Sequence, residues 1–320
     1  MTPIPVTVIV PNYNHAKYLR ARMDSILNQT FQDFEVIILD DCSTDNSRKI
    51  IDSYRSHPKV SHVVYNKTNS GSPFVQWNKG VSLARGSLIW IAESDDYSKL
   101  NFLEETVAKM KAHPSVGLVY TQSLELDEIT GSEYTSFQDS PRFKHSFKTS
   151  YFETGRREVA DKLVHENTIP NASGVLFRKS VYDWVGGADA SMKLCGDWFL
   201  WVKILMASDV YFIAEPLNIF RLTSSSVRSR YSKVQTFHER VKILRWMGIH
   251  GIKGVREKEL ILLKNLFNSF KLYQLNKPVH MIISDPAMSN RYFKLIPAFL
   301  FSIADRVSGK ISRIQNKLIP

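Results

Sequence analysis

Cysteine is almost absent from this 320-residue chain: Cys42 and Cys195 stand far apart, without CxxC spacing. A disulfide framework and a thiolate zinc site are thereby excluded, and a reducing cytoplasm is the expected setting. No GxGxxG follows the first strand-like run and no GxxxxGK[ST] occurs anywhere, so dinucleotide and P-loop readings lose their main support. No segment reaches the roughly 18 to 20 consecutive apolar residues of a spanning helix. The opening MTPIPVTVIVPNYNH has no basic leader before a long apolar core, and Pro11 and Asn12 break its apolar run, so a signal peptide is not expected. Internal repeats and low-complexity tracts are also missing.

What the chain does have in excess is positive charge, +11 overall, and its position is informative. Residues 1–230 carry 26 Lys+Arg against 26 Asp+Glu, whereas 231–320 carry 16 against 5. The first part is electrically balanced and the last 90 residues hold the whole surplus. We therefore expect a domain over 1–230 and a basic helical module over 231–320.

Within the first part, short β-branched runs alternate with helix-like periodicity. Val6–Val10, Glu35–Leu39, Val60–Tyr65 and Leu88–Ala92 read as strands, followed by helices over Ala16–Asn28, Ser47–Tyr54, the stretch ending near Gly80 or Arg85, and Asn101–Lys111. A further strand is expected at Val116–Thr121, long irregular loops from Asp127 to about Pro170, a strand at Asn171–Arg178 and a helix at Trp198–Met206. Such alternation predicts an α/β fold with a mostly parallel, doubly wound sheet and helices on both faces. Ligands of these sheets sit outside the carboxyl ends of the strands. The first four strands end in polar clusters, at Asn12-Tyr13-Asn14, Asp40-Asp41, Asn66–Gly71 and Glu93–Asp96, which should meet at one edge.

The densest of these clusters is IWIAESDDY, residues 89–97. Carboxylates packed so closely repel one another, and Mg²⁺ or Mn²⁺, hard cations that bridge carboxylates to substrate phosphates, is the natural counter-charge. Taken alone, the same trio supports a solvated turn before a helix equally well. Asp41 is suited to accept hydrogen bonds from a nucleoside, while Ser43 or Asp45 is expected to cap the helix that follows.

Residues 5–121, through VTVIVPNYNHAKYLRARMDSILNQTFQDFEVIILDDCSTDNS and NSGSPFVQWNKGVSLARGSLIWIAESDDY, resemble the N-terminal half of the inverting family 2 glycosyltransferases, which have the GT-A fold. A weaker match runs from Asn171 to Ser226, through SGVLFRKSVYDWVGG, GDWFLWVKI and FRLTSSSV. The resemblance implies transfer of a single sugar from a nucleoside-diphosphate sugar, commonly a UDP-sugar, to an acceptor hydroxyl in polysaccharide or glycolipid assembly. It implies that residues 1–125 bind the donor and 126–230 face the acceptor. Pro11, Tyr13 and Asp41 would contact base and ribose. Glu93-Ser94-Asp95 occupies the family's DxD position, with Asp95 as ligand of Mn²⁺ or Mg²⁺ and Glu93 departing from the usual Asp. Asp197 aligns with the catalytic base, a role for which a carboxylate is fitted; its competing role is to cap the helix after it. Trp198 and Trp201 read either as sugar-site lining or, more ordinarily, as core. Arg221 or Arg228, near Ser224–Ser226, reads as a helper at the diphosphate or as a surface arginine. The QxxRW motif of processive members is missing, in keeping with one sugar per encounter.

Apolar residues at 300, 303, 307, 311, 314 and 318 follow helical spacing, with Arg306, Lys310, Arg313 and Lys317 among them. Residues 291–320 either lie on an anionic membrane surface at the inner face of the cell membrane or pack on the catalytic domain. Nucleic acid is not an expected partner, since no recognisable nucleic-acid fold appears. Two alternatives of other classes are a nucleotide-sugar-binding scaffold without catalysis and a nucleotidyltransferase, which would carry a Gly- and Arg-rich loop where Asn12–His15 stands.

Overall fold

The structure is a computed structural model and describes residues 5–137, 140, 142–143, 145–222 and 233–268. It divides into two compact units, Met1–Arg230 and Tyr231–Pro320.

In the first unit, β1 (Val6–Asn12), β2 (Phe34–Asp40), β3 (Val60–Tyr65) and β4 (Leu88–Ile91) are linked by α1 (Ala16–Leu27), α2 (Ser47–Tyr54) and α3 (Pro73–Leu83). The alternation predicted from periodicity is present. Then come β5 (Tyr97–Ser98), α4 (Phe102–Ala112), β6 (Val116–Asp127), β7 (Glu133–Thr135), β8 (Tyr151–Glu153) and α5 (Gly155–Glu158), which runs into a π-helical turn at Val159–Leu163. A 3-10 turn at Ala172–Gly174 leads to β9 (Val175–Arg178), α6 (Lys179–Trp184), α7 (Gly196–Ala207) and β10 (Asp209–Leu222).

The strands form one sheet in the order β3-β2-β1-β4-β9-β6-β10-β5, with β7 beside β6 and β8 beside β10. β3, β2, β1 and β4 run parallel, as do β6 and β10, whereas β9 is antiparallel to both β4 and β6. Every residue of β1 and β2 is buried, as expected of strands covered by helices on both faces. One core cluster gathers Val8, Val10, Leu19, Met23, Ile26, Val36, Ile38, Trp90, Phe102 and Val107. Gly80 lets α3 close on β1, since a Cβ there would lie 2.4 Å from Ile9 Cγ2.

Two expectations are corrected. The stretch 127–170 is not loop throughout: β6 continues to Asp127 and pairs with β7, and β8 pairs with β10. Its polar sequence hid short edge strands, whose register comes from the neighbours rather than from their own apolar pattern. The strand expected at Asn171–Arg178 begins only at Val175, because a 3-10 turn occupies its first residues.

The second unit contains α8 (Lys233–Ile249) and α9 (Val255–Asn268), joined through Gly251 and Gly254, both at positive φ. The amphipathic pattern at 291–320, Arg228 and Ser224–Ser226 lie outside the described residues. Among the described residues no helix is long and apolar enough to cross a membrane.

Candidate functional site

The four polar clusters meet at the carboxyl edge of the parallel strands. Asn12 Nδ2 donates to Asp40 Oδ1 at 2.9 Å and to Ser43 Oγ at 3.1 Å, tying the end of β1 to the loop after β2. Asn66 Nδ2 donates to Asp41 Oδ1 at 2.6 Å, which adds the loop after β3. His15 Nδ1 and Ser94 Oγ lie 2.8 Å apart, which joins the start of α1 to the acidic turn after β4.

Asp41 is the anchor of one end. Its Oδ1 also accepts from the Ser70 amide at 3.0 Å and from Gln76 Nε2 at 2.9 Å, and its Oδ2 from Ser70 Oγ at 2.8 Å. This buried carboxylate organises the 66–76 loop around itself. Beside it Pro11 is buried within β1, while Tyr13 is 38% exposed. Cys42 takes a φ of 66°, a left-handed conformation that normally selects glycine or asparagine.

The expected capping roles divide unequally. Asp45 Oδ1 accepts from the Ser47 amide at 2.9 Å and Oδ2 from the Ala16 amide at 2.9 Å, so one carboxylate serves the first turns of α2 and α1. Ser43 instead accepts from Asn12 and from the Asn14 amide, and is a clasp between loops.

In the acidic turn the three carboxylates have separate fates. Glu93 Oε1 accepts from Trp77 Nε1 at 2.8 Å. Asp96 is buried, with Oδ2 accepting from Asn171 Nδ2 at 2.6 Å and Oδ1 from the Arg221 amide at 3.1 Å. It caps no helix: Asn101 holds that position for α4. Asp95 is a quarter exposed and lies 4.0 Å from His15 Nδ1. Burial, reinforced by the charge of Asp95, pushes Glu93 up to about 8 and Asp96 up to about 7.

Beneath the turn lies Arg22, wholly buried and stacked 4.9 Å from the Trp90 ring. Its three guanidinium-group nitrogens have no hydrogen-bond partner. Burial pulls its pKa down to about 10 against the opposing pull of Asp96, Glu93 and Asp95. Together the crowded carboxylates resist ionising side by side, a repulsion that a divalent cation would relieve. Among the described residues no group of three His, Cys, Asp or Glu side chains could hold a metal unaided. Asp95 fits a cation shared with substrate phosphates, which needs only one or two carboxylates.

Asp197 sits in the first turn of α7, where a carboxylate is favoured by the helix dipole. It is not the cap, since Cys195 holds that position. Its Oδ2 accepts from Asn167 Nδ2 at 3.0 Å. α7 reaches α3 directly: a Cβ on Gly196 would lie 2.4 Å from the Phe74 ring. Trp198 and Trp201 are both buried, the former donating from Nε1 to the Leu163 carbonyl at 3.1 Å, so both belong to the core. Arg221 is on β10, with its guanidinium 4.8 Å from the Tyr97 ring and 5.3 Å from Tyr18, and an ion pair to Glu128 at 3.5 Å.

Sequence reasoning missed His15, Arg22, Gln76, Trp77, Asn167 and Asn171. Arg22 left a trace, since it falls on the apolar stripe Leu19, Met23, Ile26 of α1, where a charge is out of place. The others act through long-range partners and have no local signature.

Residues 7–182 match the family Glycosyl transferase family 2. The chain is 26% identical over 277 residues to glycosyltransferase GlyG of Streptococcus pneumoniae, covering 84% of this chain and 90% of that protein. Its fold is similar to that of residues 1–349 of TarS, a poly(ribitol-phosphate) beta-N-acetylglucosaminyltransferase of Staphylococcus aureus, in complex with UDP-GlcNAc: TM-score 0.66, 20% identity, 87% of this chain and 79% of that one. It is similar also to a mannosyltransferase of Pyrobaculum calidifontis in complex with GDP-Man and Mn²⁺, with TM-score 0.58, 17% identity, and coverage of 94% and 86%.

Proposed function

Because the chain belongs to glycosyl transferase family 2, we propose that it transfers one sugar, with inversion, from a UDP-sugar to an acceptor hydroxyl in the assembly of a polysaccharide or glycolipid. The observation that carries this reading is the convergence of the strand-end clusters on one edge, with Asp95 partly exposed between inward-held Glu93 and Asp96.

In this reading residues 1–125 form the donor side and 126–230 the acceptor side. Pro11, Tyr13 and the loop that Asp41 organises receive the base and ribose. Glu93 and Ser94 lie alongside the donor, and Asp95 is the residue that would hold Mn²⁺ or Mg²⁺. Such an ion supplies Lewis-acid stabilisation of charge on the leaving group.

Asp197 removes the acceptor proton as the oxygen attacks the anomeric carbon opposite the diphosphate. Asn167 fixes the orientation of its carboxylate through the 3.0 Å hydrogen bond. Arg221, clamped by Glu128, Tyr18 and Tyr97, belongs to the framework of the site rather than to a free surface. Residues 231–320 form a separate basic module, and its surplus charge supports contact of 291–320 with an anionic membrane surface.

The test is calorimetry of UDP binding with Mn²⁺ and with chelator. Metal-dependent binding supports the donor site; absence of binding in both conditions refutes a UDP donor.

A further inference from the structure

Helix α3 connects the two ends of the edge through consecutive residues. Gln76 Nε2 donates to Asp41 Oδ1 at 2.9 Å, and Trp77 Nε1 donates to Glu93 Oε1 at 2.8 Å. Asp41 follows β2 and Glu93 follows β4, so one rigid turn of helix braces two separate strand-end loops. Gln76 and Trp77 are each 2% exposed. The indole is wedged edge-on to Phe74, with ring centroids 5.0 Å apart, and lies 6.1 Å from the Trp201 ring at 30°. It has no room to turn, and its N–H therefore points in a fixed direction.

An indole carries one donor and no acceptor. It fixes one oxygen of Glu93 and leaves Oε2 to accept a further hydrogen bond. The longer reach of glutamate closes the gap to Trp77 while the residue stays half-buried beside Asp95.

We propose that Trp77 is a positioning residue for the donor, acting through Glu93: it holds that carboxyl group so that Oε2 accepts from a ribose hydroxyl. With Gln76 it also sets the separation between the nucleoside end and the acidic turn. The inference rests on the donor-site reading above. It explains a glutamate at the first position of the ESD turn as half of a pair whose other half is on α3.

The probe is UDP in the presence of Mn²⁺, measured by calorimetry on the full chain, with thermal melting as a control. Trp77→Phe keeps the ring and deletes the donor; it is expected to weaken UDP binding about tenfold, on the scale of one lost hydrogen bond, with the melting temperature little changed. In a Glu93→Ala background the same substitution should add no further loss. Unchanged binding by Trp77→Phe, or an equal loss in both backgrounds, overturns the proposal. Should Trp77→Phe fail to fold, Glu93→Gln, which keeps an acceptor for the indole, must bind UDP more tightly than Glu93→Ala; equal losses refute the pairing. Failure of wild type to bind UDP would instead strike the donor reading itself.

Discussion

Asn171 and Asp96, 75 positions apart, are joined by a hydrogen bond of 2.6 Å from the side-chain amide to Oδ2. With the Arg221 amide on Oδ1, it turns the last acid of the ESDD turn into a keystone between β4, β10 and the segment before β9. Asn171→Ala would leave a buried carboxylate short of a donor. We expect a loss of about 1.5–3 kcal/mol in stability, the range for hydrogen bonds to charged groups. Urea unfolding measures it, and an unchanged midpoint would remove Asp96 from the framework.

Asp95 is expected to behave oppositely. Its carboxylate is partly exposed and not committed to the sheet, so Asp95→Ala should melt within a few degrees of wild type. The same variant should lose Mn²⁺-dependent UDP binding, by about 100-fold or more on the scale of a missing charge-assisted ligand. Calorimetry with and without chelator separates the two effects; metal-dependent binding that survives would place the cation elsewhere.

For Asp197→Asn the expectation is a fall of about 10²–10⁴-fold in kcat, the usual contribution of a general base, with KM for the donor within a few-fold. Initial rates at saturating and limiting donor give the split. Near-normal turnover would mean that another group takes the proton.

Glu35 supplies a pH signature far from the chemistry. Burial alone would raise its pKa, but hydrogen bonds from the Arg85 side chain and amide and from Thr7 outweigh burial and hold the carboxyl below its ordinary value. A depressed folded pKa contributes stability above the unfolded value, near 4.3, and that contribution is lost as pH falls through the folded value. Glu35→Gln should flatten the decline of melting temperature below about pH 5. Parallel melting curves for wild type and variant would contradict this.

Cys42 is a site where a substitution should stabilise. At φ 66° a Cβ costs about 1 kcal/mol that glycine does not incur. Cys42→Gly is expected to raise the urea midpoint and Cys42→Val to lower it. The reverse order would show that the Sγ contact with the Lys67 carbonyl, 3.6 Å long, matters more than the backbone.

The reach of the sequence can be argued from these residues. The strands β1 to β4 and the helices α1 to α4 were legible because their cores repeat apolar residues at two distinct periods, and because parallel strands bring their polar ends to one edge; the two-residue β5 was not. Asp41, Glu93 and Asp95 stood out by type and place, and Asp197 only through the family resemblance. β9 was expected as a strand, but its antiparallel direction was not legible, since a four-residue apolar run carries no sign of direction. Trp77 and Asn167 were hidden for a different reason: their importance is a hydrogen bond to a residue in another element, which no local pattern encodes.

The reversed strand β9 also divides the sheet by the order in which it can assemble. Val6 pairs with Phe34 and Val36 with Val60, so the β1–β2 and β2–β3 ladders each close across one helix crossover, whereas Val6 pairs also with Leu88, Leu118 with Phe177 and Val116 with Asp209. Contacts of small sequence separation form before those that must first close long loops. During synthesis the β1–β2–β3 ladders can condense while α7 and β10 are still being made, and the docking of β9 between β4 and β6 comes later. Refolding should therefore show a slow phase that substitutions in the β6–β9–β10 ladder retard and substitutions in β2–β3 leave alone.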